Sequence, residues 1–100
     1  MKKKVFLPMS RDISKLTEYY DPESRLDYRV IERQGIEEGS IIVLEILMGE
    51  TIVGYDVCIC RNNKLPKSED WGEKAWNWKT KEKAIQQFGG LIGQTERIAA

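Results

Sequence analysis

Residues 40–61 read SIIVLEILMGETIVGYDVCICR, and this stretch decides the fold. It contains two runs rich in β-branched and aromatic residues, 40–48 and 51–61, which are separated only by Gly49-Glu50. Runs of this composition favour strands, and glycine at the first position of a two-residue loop suits a type II′ turn. The stretch therefore predicts an antiparallel β-hairpin.

The predicted turn also sets the register of this hairpin, because it makes the residues that flank it directly opposed. One face then carries only apolar pairs: Ile46 with Val53, Leu44 with Tyr55, and Ile42 with Val57. The other face is mixed: Glu45 with Gly54, Val43 with Asp56, and Ile41 with Cys58. We expect the apolar face to be core. The mixed face is expected to be partly covered or partly hydrated, and it offers a surface for a homodimer.

Two further strands are predicted on either side of the hairpin. Apolar and charged residues alternate over residues 25–33, which is typical of a half-buried strand, and Gly35 and Gly39 bracket the turn that follows. Residues 75–79 read as a short fourth strand. Residues 62–73, which connect the hairpin to this fourth strand, have the composition of a loop.

Helices are predicted at both ends of the chain. Residues 4–9 suggest a short strand, and Ser10 is a suitable N-cap for a short helix that ends at Asp21-Pro22. Thr80 is a suitable N-cap for the C-terminal helix. Its apolar stripe comprises Ala84, Ile85, Phe88, Leu91 and Ile92.

The glycines within this C-terminal segment leave two possibilities. Gly89-Gly90 favours a helix end near Phe88 with a glycine cap, because each interior glycine costs about 1 kcal/mol. The alternative is a longer helix that carries its glycines on the outer side. We expect residues 94–100 to be a frayed tail.

These elements predict a single α+β domain over residues 1–100. Its sheet is an antiparallel meander of three to four strands, and the C-terminal helix packs on one face. A short N-terminal strand or helix element completes the fold.

Several chemistries are excluded by residue type. The chain has no histidine, so histidine-based nucleophile pairs and metal sites are ruled out. Two thiols, Cys58 and Cys60, cannot close a tetrahedral zinc site and are interpreted as packing residues. The acidic residues form no pair at a defined spacing, since Glu37-Glu38 lie in a turn and Asp56 is expected opposite Val43. We therefore predict no enzyme, cofactor or metal; a carboxylate-lined pocket would be needed to reopen the question of catalysis.

The apolar run near the N-terminus is too short for an export signal, and no segment has the roughly 20 apolar residues of a membrane span. The sequence therefore predicts a cytoplasmic location and no membrane contact.

Charge is balanced overall but unevenly distributed. The 16 basic and 16 acidic residues give a net charge of zero, which argues against a dedicated duplex-DNA binder. Residues 32–56 hold six acidic residues and one basic residue, whereas residues 61–83 hold seven basic and four acidic ones. A dipolar layout of this kind suits the orientation of a partner, although solvated faces are the simpler explanation of it.

The three tryptophans lie within eight residues and are interleaved with lysines. The candidate binding residues are Trp71, Lys74, Trp76, Trp78 and Lys79. Tryptophan is enriched at the energetic centres of protein interfaces, and Trp–Lys segments also stack single-stranded bases. The third interpretation is that Trp76 and Trp78 are core residues of the fourth strand.

The sequence thus predicts a non-catalytic binding module that acts by protein–protein contact, as a small regulator or inhibitor. The alternative is RNA or single-stranded DNA binding through residues 71–81.

Overall fold

A computed structural model describes residues 5–66 and 75–99. The elements are β1 (Glu18–Asp21), β2 (Leu26–Ile36), β3 (Gly39–Met48), β4 (Thr51–Arg61), β5 (Ala75–Trp78) and α1 (Lys81–Ala99). The strands form one antiparallel sheet in the order β1-β2-β3-β4-β5. The predicted α+β meander with a C-terminal helix is confirmed, with β1 as an additional strand.

The predicted hairpin of β3 and β4 is present, and its two-residue loop has the expected backbone. Gly49 has a φ of 64°, whereas Glu50 is not among the residues with positive φ. This combination is that of a type II′ turn. The pairs next to the turn also follow the prediction, since Met48 opposes Thr51 and Leu47 opposes Ile52.

The predicted register is wrong beyond these two pairs, because the ladder shifts by one residue at Val53. Ile46 opposes Gly54, so that Val53 is the extra residue of a β-bulge. After the shift, Leu44 opposes Asp56. A local turn does not specify such a shift; the packing on the two faces of the sheet does.

On one face, the shift gives α1 a continuous apolar surface. Ile41, Val43, Tyr55 and Val57 are buried together there with Ala84 of the helix. The rest of the predicted helical stripe packs on the same cluster: Ile85, Phe88, Leu91 and Ile92. The stripe is therefore confirmed, although it covers odd-numbered residues of β3, where the sequence predicted even-numbered ones.

The opposite face is covered by the N-terminal segment, residues 5–17. Its buried cluster comprises Ile13, Tyr19, Ile42, Leu44, Cys58, Cys60, Leu65 and Ala75. The mixed face through which a homodimer was expected had Val43 opposite Asp56. In the structure Leu44 opposes Asp56, so this face does not have the predicted composition.

The short N-terminal helix predicted from Ser10 is wrong. Asp12 does not begin a helix, because its Oδ1 accepts hydrogen bonds from Ser14 N at 2.9 Å and Ser14 Oγ at 2.7 Å and closes a local turn. Tyr19 and its neighbours form β1 instead, with Tyr19 opposite Tyr28. The strand suggested over residues 4–9 is reduced, in its described part, to an isolated bridge between Phe6 and Tyr20, whose rings also meet edge to face with centroids 5.6 Å apart.

The N-terminal segment is attached to the sheet by Arg33 of β2. One guanidinium nitrogen, Nη2, donates to the carbonyl oxygens of Ile13 at 3.0 Å and Leu16 at 2.7 Å. A second nitrogen, Nη1, donates to Ser14 O at 3.4 Å. A charged side chain thus satisfies backbone acceptors in a segment that has no regular ladder of its own.

Helix α1 does not end near Phe88 as predicted; it continues to Ala99. Its first turn is capped as expected, since Thr80 Oγ1 accepts from Lys83 N at 3.4 Å. A Cβ added at Gly89, Gly90 or Gly93 would have nothing within 4 Å, so these glycines lie on the open side. Burial of the apolar stripe offsets their helix propensity, and residues 94–99 are the last turns of the helix. Within residues 5–66 and 75–99, no helix combines the length and the apolar character needed to cross a membrane.

Candidate functional site

A cleft of about 470 Å³ lies between the N-terminal segment and the sheet. This volume falls within the usual range of ligand pockets. Its lining is Leu7, Arg11, Tyr19, Asp21, Glu23, Tyr28, Leu44, Asp56, Cys58, Leu65, Pro66 and Ala75. Because of the bulge at Val53, Ile42 and Leu44 of β3 lie on the same face as Asp56 and Cys58, and the N-terminal segment covers this face.

Asp56 is the most unusual lining residue, since it is a carboxylate only 6% exposed. Asn77, directly opposite on β5, donates a hydrogen bond from Nδ2 to Asp56 Oδ1 at 2.8 Å. Burial raises the pKa of Asp56 to about 6, and the hydrogen bond from Asn77 opposes this rise. Asp56 is in no ion pair with another described residue. The site therefore contains a buried carboxylate that forms no ion pair within residues 5–66 and 75–99.

Two tyrosines from β1 and β2 line the same cleft as Asp56. The rings of Tyr19 and Tyr28 are stacked, with centroids 5.0 Å apart and planes at 14°. Burial raises the pKa of both phenols, and the charges of Asp56 and Asp21 add to this effect. Together, Tyr19, Tyr28, Asp21 and Asp56 form what we call the acidic end of the cleft.

Arg11 provides the positive charge of the cleft, and its position is held by backbone contacts. Its N–H donates to Pro8 O at 2.9 Å, and its carbonyl accepts from Leu65 N at 2.9 Å. Its φ of 60° lies in the left-handed region, which is uncommon for a residue other than glycine. Nη2 donates to Pro66 O at 3.0 Å, but the buried Nε has no hydrogen-bond partner among the described residues. Arg11, Cys58 and Pro66 are called the basic end.

The cysteines behave as the sequence suggested, as interior packing residues. Cys58 and Cys60 are free thiols, 3% and 0% exposed, on the face that the N-terminal segment covers. Burial raises the pKa of Cys60 to about 12 and that of Cys58 well above its usual value. Neither thiol is therefore suited to act as a nucleophile.

A metal ion would require several close ligands. Asp21, Glu23 and Asp56 all line the cleft, yet no group of three or more Cys, Asp or Glu side chains in residues 5–66 and 75–99 has metal-binding geometry. The carboxylates are therefore treated as separate charges.

The residues that the sequence proposed as a binding site lie elsewhere. Trp76 opposes Val57 and Trp78 opposes Tyr55, which puts both tryptophans on the face covered by α1. Trp78 packs against the helix, and its Nε1 donates to Gln87 Oε1. Lys79 is exposed after the end of β5. Trp71 and Lys74 lie outside the described residues, and binding through these five residues stays a prediction.

Sequence reasoning missed the cleft because it assigned Asp56 to the wrong partner. The predicted register put Asp56 opposite Val43 on a mixed, partly hydrated face; with the bulge, Asp56 shares its face with Ile42 and Leu44 of the cluster beneath the N-terminal segment. A usable signal was present, since Asp56 interrupts an otherwise apolar run at the centre of a strand. Arg11 carries no such signal, because its environment is made by residues distant in sequence.

Comparison with protein-family models, curated proteins and solved structures gives no significant match.

Proposed function

We propose that this chain is a non-catalytic binding module that acts by contact with another protein, as a small regulator or inhibitor, and that the cleft receives a basic side chain of that protein. The observation that carries the proposal is Asp56, a buried carboxylate that faces a cleft and has no ion-pair partner among the described residues.

Burying the charge of Asp56 costs the free domain stability. A buried carboxylate is strongly unfavourable unless it is paired and hydrogen-bonded, and a single amide donor compensates it only in part. A cation brought by a partner would restore the missing interaction. The Asp56 charge destabilises the free domain, and a cation in the complex would compensate it. This difference in free energy favours binding.

The rest of the acidic end suits a cation as well. Among the described residues that line the cleft are three carboxylates and one guanidinium, so their summed charge is negative when the carboxylates are ionised. The stacked pair of Tyr19 and Tyr28 adds aromatic surface. Aromatic faces attract ammonium and guanidinium groups, most strongly where water is excluded.

Binding accounts for the cleft better than catalysis does, although its carboxylates meet the condition that would reopen that question. General acid–base chemistry needs two groups in defined mutual geometry. The described hydrogen bond of Asp56 is made with the amide of Asn77, and none joins it to a second titratable group in the described part of the chain.

The arrangement of the tryptophans supports a protein over a nucleic acid as partner. Trp78 is engaged with α1 and Gln87, which leaves less of its ring free to stack on bases. The RNA or single-stranded DNA alternative predicts that oligonucleotides quench tryptophan fluorescence at low salt.

The test is a titration of the ¹⁵N-labelled full chain at pH 7.5, followed by amide chemical shifts. The probes are N-acetyl-lysine methylamide and N-acetyl-arginine methylamide, with N-acetyl-norleucine methylamide as the uncharged control. We expect saturable shifts at Tyr19, Tyr28 and Asp56 with the two cationic probes only. Millimolar affinity is sufficient, because a single side chain supplies few contacts.

Two variants separate this site from general electrostatics. Asp56→Asn should weaken binding of both cationic probes at least tenfold. Asp27→Asn, which removes a carboxylate of β2 that alternates with Tyr28 and so points away from the cleft, should leave binding unchanged. Equal shifts with the norleucine probe, or equal losses in the two variants, would contradict the proposal.

A further inference from the structure

A row of five side chains crosses the sheet near the turn of the β3–β4 hairpin. It consists of Phe6, Tyr20, Asp27, Leu47 and Ile52, each of which is paired with the next across neighbouring strands. Paired residues of this kind share one face of a sheet, so the five side chains lie side by side. At about 4.8 Å per strand, the row is about 19 Å long. We call it the transverse row.

The transverse row lies on the face that α1 packs on, which is the face opposite the cleft. Leu47 is four residues from Val43 along β3 and therefore shares its face, and Val43 is buried in the cluster beneath α1. None of the five residues belongs to either buried cluster of the described residues. Phe6 and Ile52, at the two ends of the row, are 57% and 48% exposed. The row is thus a partly apolar surface beyond the part of the sheet that α1 covers.

The end of the row at Phe6 is held by defined contacts. Tyr20 N donates to Val5 O at 2.7 Å, and Leu7 N donates to Tyr20 O at 3.0 Å. The rings of Phe6 and Tyr20 meet edge to face, with centroids 5.6 Å apart. A ligand would therefore meet aromatic side chains that are already positioned, which lowers the entropic cost of binding.

On the side toward α1, the transverse row is bordered by charge. Arg29 and Glu45 are the next residues on this face of β2 and β3, and they form an ion pair of 3.3 Å with each other. An apolar surface with a charged border is the common composition of a protein interface.

Asp27 occupies the middle of the row and restricts what can cover it. It forms no ion pair within residues 5–66 and 75–99. A second copy of this chain, placed on a two-fold axis through the centre of the row, would bring Phe6 onto Ile52 but Asp27 onto Asp27. Directly opposed like charges are unfavourable. The complementary surface is apolar at both ends and carries a cation at its centre.

The spacing of the row favours a helix as the occupant. Side chains on one face of an α-helix recur about every 5.4 Å, close to the distance of about 4.8 Å between strands. On an extended chain, side chains of the same face are about 6.8 Å apart and would lose register with the row. Helices that dock through an apolar face are a common mode of recognition.

We propose that the transverse row binds an amphipathic helix of another protein, with a basic residue at Asp27 and apolar residues on either side of it. This inference goes beyond the proposed function, because it concerns the opposite face of the sheet and uses no residue of the cleft.

Three helical peptides of one design test this surface on the unmodified ¹⁵N-labelled full chain. Each has about 15 residues, with an outer face of alanine and glutamine and an inner face of two leucines, one central residue and two leucines. The central residue is lysine, norleucine or glutamate. We expect the lysine peptide to shift the amides of Phe6, Asp27 and Ile52 saturably and to bind at least tenfold more tightly than the glutamate peptide. Equal affinities of these two peptides would overturn the inference.

Variants then assign the difference. Asp27→Asn should bring the ratio of the lysine and glutamate affinities to near one, and Ile52→Thr should weaken all three peptides. Asp56→Asn should leave all three unchanged, because Asp56 lies on the other face. A single lysine methylamide has no apolar flanks and gains little at a solvent-accessible carboxylate, so Asp27→Asn still serves as the control for the cleft. Amide spectra of the variants check that the sheet is intact.

The same variants identify the other occupants. If the unmodified chain sediments as a dimer and Ile52→Thr makes it a monomer, the row binds a second copy. If the chain floats with phosphatidylcholine vesicles and Ile52→Thr abolishes flotation, the row binds a lipid surface. Either result, or failure of the lysine peptide to bind, would overturn the helix assignment and leave the cleft proposal standing, because that proposal is tested with separate probes.

Discussion

Asn77 of β5 donates a hydrogen bond to Asp56 of β4 at 2.8 Å, from the directly opposite position in the sheet. The contact links an edge strand to the one buried carboxylate of the described residues. The hydrogen bond lowers the free-energy cost of burying that carboxylate but does not cancel it, because burial still outweighs the hydrogen bond in setting the pKa of Asp56. The stability of the domain should therefore depend on the ionisation of this residue.

The first prediction concerns pH. Burial raises the pKa of Asp56 from 3.8 to about 6, so between these values the folded state binds more protons than the unfolded state. The stabilising contribution of the protonated group is complete below pH 4 and is lost as the pH rises through 6. A difference of about two pKa units corresponds to about 3 kcal/mol.

Asp56→Asn removes this titration, so the free energy of unfolding of the variant relative to the unmodified protein should increase by up to about 3 kcal/mol from pH 4 to pH 7.5. Urea denaturation at several pH values measures the difference. A difference that does not vary with pH would show that Asp56 is not desolvated in the folded state.

The second prediction concerns the attachment of the N-terminal segment. Arg33→Ala removes the donor to Ile13 and Leu16 and should lower the free energy of unfolding by about 2 kcal/mol, since hydrogen bonds to charged groups contribute more than neutral ones. Amide hydrogen exchange at Ile13 and Leu16 should also accelerate. Both effects follow from the loss of contacts that no strand ladder replaces.

Arg29→Ala is the matched control, because the Arg29–Glu45 ion pair of 3.3 Å involves a guanidinium that is 54% exposed. Its loss should change stability by less than about 1 kcal/mol. Equal destabilisation by the two variants would mean that Arg33 acts as an ordinary surface charge.

The third prediction concerns the thiols. Because Cys58 and Cys60 are buried and their pKa values are raised, iodoacetamide at pH 8 should leave both unmodified in the folded protein. Both should react in urea. Mass spectrometry of the intact protein counts the adducts, and rapid labelling of either cysteine under native conditions would contradict the packing interpretation.

Much of the fold was predictable because it follows from local patterns. The β-forming runs around Gly49-Glu50 specify a hairpin, and Thr80 with the apolar stripe behind it specifies a helix start. The end of that helix was not predictable in the same way. Gly89-Gly90 resembles a cap in isolation, but contact of Leu91 and Ile92 with the sheet extends the helix to Ala99.

The candidate site was less predictable than the fold, because it depends on contacts between distant residues. Asp56 was considered and set aside, since a register taken from the turn alone places it opposite Val43. Tyr19 was assigned to the region of a helix, because Ser10 and Asp12 resemble capping residues. In the structure Asp12 closes a local turn, and Tyr19 pairs with Tyr28 across β1 and β2.

The sequence by itself determined the class of fold, the hairpin, the helix start and the exclusion of histidine-based chemistry, since each follows from residue type or short-range periodicity. Only the tertiary structure decided the bulge at Val53, and with it which residues of β3 share a face with Asp56. A shift of one residue costs little within a hairpin, but it exchanges the two faces of a strand, so the choice is made by what packs on each face. Here α1 covers one face and the N-terminal segment the other, and the cleft forms beneath that segment.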